Sequence, residues 1–280
     1  MRPETRVKVV LRGMTLIILT LFVVGPLSWF VLAGFMTRRA ALRGFPWLSE
    51  LTLEHYRRLA ERLPLGQLVG DTTMLASVSS LLAVALALPC AYFISRQGGR
   101  LGRTLYALCL TTWLVPPIAL SLQVYLWMLQ IGLYDSLPGL IALHAVLHST
   151  LVIFLLTPSL DVQPRRWDES AWLDGLSGLG ALRRVHLPAL RHLVTGLLAL
   201  AFLRSWNELL FASVLTDSRV RTLPLAMLGL TTGSRIEWGE ISALGTIGLA
   251  PVPLALALVL GLHLAARSSA RRILPEEPVP

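Results

Sequence analysis

Few residues of this 280-residue chain could take part in catalysis. Lys8 is the only lysine, and a nucleotide-binding phosphate loop requires a lysine that follows a glycine-rich turn. The motifs HExxH, CxxC and G-x-S-x-G are also absent. Cys90 and Cys109 fall in apolar stretches without metal-ligand spacing, so we expect them to pack as small apolar residues. The sequence therefore predicts no enzyme active site, no metal site and no cofactor.

Polar side chains inside apolar stretches are the other candidates for chemistry. Arg204, Asn207 and Glu208 lie in one such stretch, and His144 and His148 lie four residues apart in another. Charged groups cost about 2.5–3.5 kcal/mol each at the centre of a bilayer, so they should face protein or water. Two interpretations are open for Asn207 and Glu208: they line a path for a solute, or they hydrogen-bond neighbouring helices. For the two histidines the second interpretation is favoured, because two histidines alone do not make a metal site.

The elements that must position these side chains are long apolar helices. The chain is 54% hydrophobic and 15% charged, whereas a soluble domain carries about 25% charged residues. A helix crosses a bilayer with about 20 residues and satisfies its own backbone hydrogen bonds there. The sequence therefore predicts an all-α membrane protein, a polytopic bundle of six transmembrane helices near residues 14–36, 72–94, 105–128, 139–156, 193–215 and 241–265.

Two local patterns add detail to these spans. Pro116 and Pro117 fall inside the third predicted span, where proline breaks a backbone hydrogen bond, so they should kink the helix. Before the second span, leucines and Tyr56 recur at near-helical spacing between Leu51 and Leu63. This spacing predicts a short amphipathic helix that caps the outer end of the bundle.

The distribution of basic residues orients the predicted spans. Fifteen lysines and arginines fall in the N-terminus, the loops after spans two and four, and the tail, against nine in the other loops. Because basic residues favour the cytoplasmic side, both termini are expected in the cytoplasm. The net charge of +9 then reflects membrane topology rather than nucleic-acid binding. The resulting division is a cytoplasmic N-terminus 1–13, a first span 14–36, an external loop 37–71, a core 72–266 with five spans, and a cytoplasmic tail 267–280.

A polar segment, residues 159–192, separates spans four and five. Its centre reads ESAWLDGLSGLGALRRVHLPAL, from Glu169 to Leu190. Acidic residues at its start suit the first turn of a short helix, and glycines such as Gly175 should end that helix. A second amphipathic stretch follows, and Pro188 should break it before span five. We interpret this helix, glycine turn and helix as a docking element for a cytoplasmic partner; the alternative is a helix that lies along the membrane surface.

This segment resembles the cytoplasmic loop of the permease subunits of binding-protein-dependent ABC importers, whose pattern is E-A-A-x-x-x-G followed by I-x-L-P. The step Asp174-Gly175 is similar to that of the carbohydrate-uptake branch. The stretches LTLEHY, SWNELLFASVL and RTLPLAML and the order of the six spans also resemble the maltose-type inner-membrane permease. The likeness covers roughly residues 14–265.

The resemblance implies that the loop between spans four and five contains a coupling helix that docks in a cleft of a cytoplasmic ATPase subunit. Glu169 would bond the ATPase, small side chains after it would allow close packing, and a glycine would make the turn. The residues that the resemblance assigns to this coupling are Glu169, Ser170, Ala171, Asp174, Gly175, Leu187 and Pro188. Leu187 and Pro188 would direct the chain back to span five. Ser170 departs from the family pattern, which has alanine there, and the tail also differs from the maltose-type end.

On this resemblance, the sequence predicts the membrane-spanning permease subunit of an ATP-driven importer of a sugar or sugar-like solute in the cytoplasmic (inner) membrane. The implied partners are a second, different permease, two ATP-binding cassette ATPase subunits, an extracytoplasmic solute-binding protein and the lipid bilayer, with no nucleic acid. ATP hydrolysis is expected in a partner subunit. The candidates for the translocation path are Asn207, Glu208, Pro116 and Pro117.

Three other interpretations stay open. The same importer class could carry another small solute, such as a polyol or glycerol phosphate. An ion-coupled secondary transporter would use carboxylates within its spans, and Glu208 is the only obvious one. A membrane scaffold that transports nothing would need the docking loop but not the polar residues within the spans.

Overall fold

The computed structural model describes residues 3–37, 51–232 and 236–253, together with residues 257 and 261. These residues form helices, and within the described ranges the only extended pairing is one isolated bridge between Met36 and Leu51. The helices are α1 (Pro3–Ala33), α2 (Glu54–Arg62), α3 (Leu65–Gln97), α4 (Gly99–Leu114), α5 (Pro117–Gln130), α6 (Leu137–Asp161), α7 (Arg166–Leu173), α8 (Gly178–Ala181), α9 (Leu187–Trp206), α10 (Leu210–Leu215), α11 (Leu223–Thr232) and α12 (Trp238–Leu249). A π-helical turn, Leu182–His186, joins α8 to α9.

Several of these helices are long and apolar enough to cross a membrane. Within the described ranges they are Arg12–Ala33, Leu65–Gln97, Leu137–Asp161 and Gly178–Trp206, and the pair α4 and α5 adds a fifth if it counts as one bent span. Of the sixth predicted span, 241–265, only the first half and two further residues are described. His263 and the tail 267–280 lie outside the described residues. The prediction of an all-α membrane protein is confirmed, and the count of six spans stays a prediction.

The third predicted span is broken rather than continuous. Helix α4 ends at Leu114, α5 begins at Pro117, and the two meet at a bend of 92°. The residue before a proline avoids the helical region, and Val115 is extended, with ψ of 121°. Pro116 is likewise non-helical, and Pro117 occupies the first helical position, where its missing N–H costs nothing. The break lies where the sequence predicted a kink.

The chain divides into two compact units, one made of residues up to Gly66 with Ala226–Ala250, the other of the remaining residues. In the first unit α1 and α2 both pack against α12. Helix α2 confirms the short helix predicted in this segment. Its Leu59 is buried, and Arg62 at its end makes a 3.0 Å ion pair with the buried carboxylate of Glu240 on α12.

The core of the second unit lies between α3, α6 and α9. Ala87 and Ala91 of α3 are fully buried against Leu156 and Leu160 of α6, and Leu197 of α9 completes the cluster. Alanines four residues apart share one face of α3, and their small side chains let the neighbouring helices approach closely. This packing holds α3 against α6 and α9, the two helices that the segment between spans four and five joins.

Asp135 ties together two loops of the second unit. It lies before α6 with φ of 48°, and its carboxylate accepts backbone N–H groups from four successive residues, Asp217, Ser218, Arg219 and Val220, at 3.0–3.4 Å. Burial alone would raise the pKa of Asp135, but these four N–H groups lower it to about 2.

Candidate functional site

The segment between spans four and five contains a short helix that ends in a glycine turn, as the sequence predicted. Gly175 has φ of 78°, in the left-handed region that residues with a Cβ avoid. The N–H of Leu176 bonds the carbonyl of Ala171, and the N–H of Gly175 bonds the carbonyl of Trp172, both at 2.9 Å. These two bonds form a Schellman turn that satisfies carbonyls at the end of α7. Ser177 then caps α8, its hydroxyl accepting an N–H of that helix at 3.2 Å.

The outward surface of this segment combines polar and apolar side chains. Glu169 and Ser170 are exposed on α7. Leu173 is 90% exposed, and Trp172 and Leu179 are each 55% exposed. Large apolar groups grouped in this way mark interaction surfaces. We refer to these five residues as the docking face.

Ala171 lies on the other side of α7. It is 2% exposed, so its small side chain serves the packing of the segment itself. The resemblance implies that Ala171 allows close packing in the coupling to an ATPase subunit, and this role stays a prediction. Asp174 caps the helix and is exposed beside the turn.

An open groove of about 800 Å³ follows the glycine turn. Its walls include the turn residues Gly175 and Ser177 and the basic side chains of Arg183 and Arg184. Both arginines are exposed, so this end of the segment is positively charged. The segment thus presents an apolar surface on α7 beside a basic groove.

Asp168 anchors the inner side of α7. Its carboxylate is 2% exposed, and one oxygen, Oδ1, accepts the hydroxyl of Tyr92 at 2.6 Å and Nε2 of His186 at 2.8 Å. The other oxygen, Oδ2, lies 2.8 Å from Nε of Arg96 in an ion pair. Gln163 bonds the second ring nitrogen of His186. We call these five residues the junction cluster.

The junction cluster connects four elements of the second unit. Tyr92 and Arg96 belong to the last turns of α3, and Arg96 also donates from Nη1 to the carbonyl of Leu160 on α6 at 3.0 Å. His186 ends the π turn before α9. Burial alone would raise the pKa of Asp168, but the hydrogen bonds of Tyr92 and His186 and the charge of Arg96 lower it.

The second half of the segment runs into span five without a break. Pro188 lies in the first turn of α9, and the chain is helical from Gly178 to Trp206. The prediction that Pro188 ends a helix was therefore wrong. The π turn before it has a wider bond pattern, in which the N–H of Leu187 bonds the carbonyl of Leu182, so the missing N–H of proline is accommodated. Leu187 and Pro188 continue the helix into α9.

The polar residues of span five lie at a second break. Helix α9 ends at Trp206 and α10 begins at Leu210, so the predicted span 193–215 is not one helix. Asn207 is exposed, and its side chain donates back to the carbonyl of Leu203 at 2.8 Å. Both carboxylate oxygens of Glu208 accept backbone N–H groups at the start of α10, at 2.8 and 3.2 Å. Glu208 thus satisfies N–H groups that the break leaves without helical partners.

His144 connects this break to α6. Its Nδ1 lies 2.7 Å from the hydroxyl of Ser205, which in turn lies 3.0 Å from the hydroxyl of Ser79 on α3. Its Nε2 lies 3.4 Å from a carboxylate oxygen of Glu208, and the ring of His148 is 5.5 Å away. The hydrogen bonds through Ser205 join three helices, as the sequence favoured for His144. His148 lies on the same helix as His144, and its contact with that ring does not test the interpretation for His148. Within the described ranges no three histidine, cysteine or acidic side chains are placed to hold a metal ion.

Sequence reasoning missed the junction cluster. Asp168 stands in the first turn of a helix, a position at which an acid needs no partner other than the helix dipole. Arg96 was counted only as a basic residue of a cytoplasmic loop. Their partners lie in segments far apart in sequence, and no local pattern joins them. Only His186 carried a signal, as a polar residue between the apolar Val185 and Leu187 of a segment that reads as amphipathic.

Comparison with known proteins identifies one family and several similar permease proteins. The family described as "Binding-protein-dependent transport system inner membrane component" matches residues 79–275. A probable ABC transporter permease protein of Sinorhizobium fredii is 30% identical over 81% of this chain and 82% of its own length. The trehalose/maltose transport system permease protein MalG of Thermococcus litoralis is 26% identical over 90% of this chain and 92% of its own.

Two further comparisons concern the solute and the fold. The sulfoquinovosyl glycerol transport system permease protein SmoH of Agrobacterium fabrum is 25% identical, over 81% of each chain. A chain in the crystal structure of a bacterial ABC transporter that imports the acidic polysaccharide alginate superposes with a TM-score of 0.76. That match covers 93% of this chain and 98% of the other at 17% identity, so it supports the fold.

Proposed function

Since this chain belongs to the binding-protein-dependent transport system inner membrane components, the permease subunits of ABC importers, we propose that it carries a sugar or sugar-like solute across the inner membrane. The relatives named for trehalose or maltose and for sulfoquinovosyl glycerol support this solute class. In this proposal the chain pairs with a second, different permease, two ATPase subunits and an extracytoplasmic solute-binding protein.

The docking face is the part of the chain that meets the ATPase in this proposal, and its exposure is the observation that carries the assignment. Leu173 is 90% exposed on a helix that Gly175 ends and Asp168 anchors, so an apolar side chain is held out from the surface of the chain. Burying such a group stabilises a contact by about 1.5–3 kcal/mol. Glu169 adds a charge at the edge of the same surface.

The two breaks in the spans are the proposed places where the solute passes. Pro116 and Pro117 interrupt the third span, and Asn207 and Glu208 interrupt the fifth. Irregular backbone at membrane depth is tolerated where it is buried in protein or lines a water-filled cavity. Because Asn207 is exposed, it is the polar side chain best placed to face such a cavity. Glu208 would act by fixing the shape of the break.

Co-purification tests the assembly. The chain, tagged and expressed with the genes that neighbour its own, should bring down an ATPase subunit from detergent-solubilised membranes. A variant with Glu169→Lys and Gly175→Pro should reach the membrane in normal amounts but lose solute-stimulated ATP hydrolysis. Glu61→Lys, which changes an exposed glutamate on α2, is the matched control and should behave as the wild type.

Transport into vesicles tests the solute class and the energy source. Proteoliposomes that contain the assembled importer and its binding protein should take up a labelled sugar only when ATP is present on the ATPase side. Offering a polyol and glycerol phosphate in parallel separates the alternative solutes. Uptake that needs no ATP and stops with a protonophore would contradict the proposal and indicate ion coupling.

A further inference from the structure

The junction cluster contains a buried acid, Asp168. A surface helix such as α7 could pack without a buried charge. Asp168 is 2% exposed, and an ionised carboxylate removed from water must be compensated by bonds or opposite charge. Three side chains supply that compensation: Tyr92 and Arg96 from α3 and His186 from the π turn. Aromatic contacts surround the bonds, since the rings of Tyr92 and Trp167 lie 5.4 and 6.1 Å from that of His186.

The chain itself attaches α7 only to its neighbours in sequence. The connection from α6 is the short segment 162–165, and the other end of α7 runs into the Schellman turn. Neither connection reaches α3, which is distant in sequence. The hydrogen bond that Asp168 accepts from Tyr92 and its ion pair with Arg96 therefore form a polar link between α7 and span two. Arg96 extends the link to span four through the carbonyl of Leu160 at 3.0 Å.

We propose that Asp168 is a positioning residue that fixes the coupling helix α7 to span two, so that movement of α7 is transmitted to α3 as well as to its neighbours in sequence. This inference rests on the proposed docking of α7 to an ATPase subunit. In this inference Tyr92 and Arg96 are the residues of α3 that receive the movement of α7. His186 holds the second half of the segment against α7. A carboxylate only accepts, so His186 donates from Nε2, while the Gln163 side chain holds the other ring nitrogen.

The test uses the assembled importer in proteoliposomes and measures the ATP hydrolysed per solute molecule taken up. Asp168→Asn removes the negative charge from the link but keeps the shape of the side chain. The matched control is Asp161→Asn, which changes an exposed acid at the end of α6 outside the junction cluster. The amount of ATPase subunit that co-purifies with each variant is measured on the same samples.

We expect Asp168→Asn to keep its ATPase subunits while the ATP cost per solute rises by about twofold to thirtyfold, the range that changes along a coupling path produce. Asp161→Asn should match the wild type. Loss of stability alone would lower uptake and hydrolysis together and leave their ratio unchanged. An unchanged ratio in assembled Asp168→Asn overturns the inference.

A milder variant covers the case in which Asp168→Asn does not assemble. Tyr92→Phe removes one hydrogen bond and leaves the Arg96 ion pair in place, and it should raise the same ratio by a smaller factor. If Asp168→Asn does not assemble and Tyr92→Phe leaves the ratio unchanged, the inference is overturned. The proposed function fails on a different result, namely wild-type protein that brings down no ATPase subunit.

Discussion

Gly175 shows how one residue fixes the docking face. The space around its Cα is open, so a Cβ there would meet no atom within 4 Å, and only the backbone conformation disfavours a side chain. The φ of 78° costs residues with a Cβ about 1–2 kcal/mol. Asparagine tolerates this region better than alanine does.

Substitution of Gly175 should therefore make the turn open more often, and alanine should have a larger effect than asparagine. Trypsin cleavage at Arg183 or Arg184 in the purified protein reports this opening. We expect cleavage of Gly175→Ala to be faster than wild type by roughly fivefold, the equivalent of about 1 kcal/mol, and Gly175→Asn to fall between them. Gly178→Ala is the control, because Gly178 is the first residue of helix α8 and its added Cβ would make an ordinary 3.6 Å contact. Equal rates for all four proteins would show that the turn does not limit opening.

The charge of Asp135 joins two loops of the second unit, because its carboxylate accepts four backbone N–H groups. Asp135→Asn should lower the free energy of unfolding by about 1.5–3 kcal/mol, because hydrogen bonds to a charged acceptor are lost or weakened. Since the folded pKa is about 2 and the unfolded value about 3.9, the contribution of Asp135 is complete above the unfolded pKa and disappears as the pH falls through the folded one.

Thermal unfolding in detergent checks this prediction. The wild type should exceed Asp135→Asn in stability at neutral pH, and the difference should shrink near about pH 3. Asp217→Asn, which changes an exposed neighbour that contributes only its backbone N–H to the Asp135 carboxylate, should show neither effect. A difference that stays constant with pH would mean that the charge of Asp135 does not hold these loops.

At the scale of elements, the spans differ in how much of them the sequence could predict. Length and hydropathy are local properties, so α1, α3 and α6 lie where the apolar runs predicted them. The break at Pro116 also has a local cause. The break between α9 and α10 has no proline to mark it. Glu208 satisfies its N–H groups, and the Glu208 carboxylate lies 3.4 Å from Nε2 of His144 on another helix, a contact that no local pattern predicts. Pro188 was misjudged for a similar reason, since the π turn that accommodates it has no sequence pattern.

The break in span five should depend on the side chain of Glu208. Glu208→Ala leaves the N–H groups of Phe211 and Ala212 without their carboxylate acceptor and should destabilise the purified protein by about 1–3 kcal/mol. Glu208→Gln keeps one acceptor oxygen and should therefore lose less stability than Glu208→Ala. Thermal unfolding in detergent measures both, with Ser213→Ala, an exposed position on α10, as the control. Equal stability of Glu208→Ala and wild type would remove the structural role of this residue.

At the scale of the whole molecule, the basic residues predict the orientation that the proposal needs. Cysteine labelling tests it in a Cys90→Ser, Cys109→Ser background. A membrane-impermeant maleimide applied to spheroplasts should label Asp217→Cys but not Arg184→Cys, and the pattern should reverse in inside-out vesicles. Both positions are exposed on the protein, so access depends on the side of the membrane. The reverse pattern would place the docking face outside the cell.

The junction cluster shows the limit of sequence reasoning at this scale. The helix and turn between spans four and five could be identified from Glu169 and Gly175, because both features are local. Its attachment to span two could not, because Asp168, Arg96 and His186 meet only after three helices have packed. The burial of Ala171 depends on the same packing and could not be predicted from the sequence either.

Photo-crosslinking from the docking face tests the central claim most directly. A photoreactive amino acid at Leu173, whose side chain is 90% exposed, should form an adduct with the ATPase subunit in the assembled importer. The same group at Leu53, 67% exposed before α2, should form none. An assembled and active importer in which position 173 yields no ATPase adduct would contradict the account.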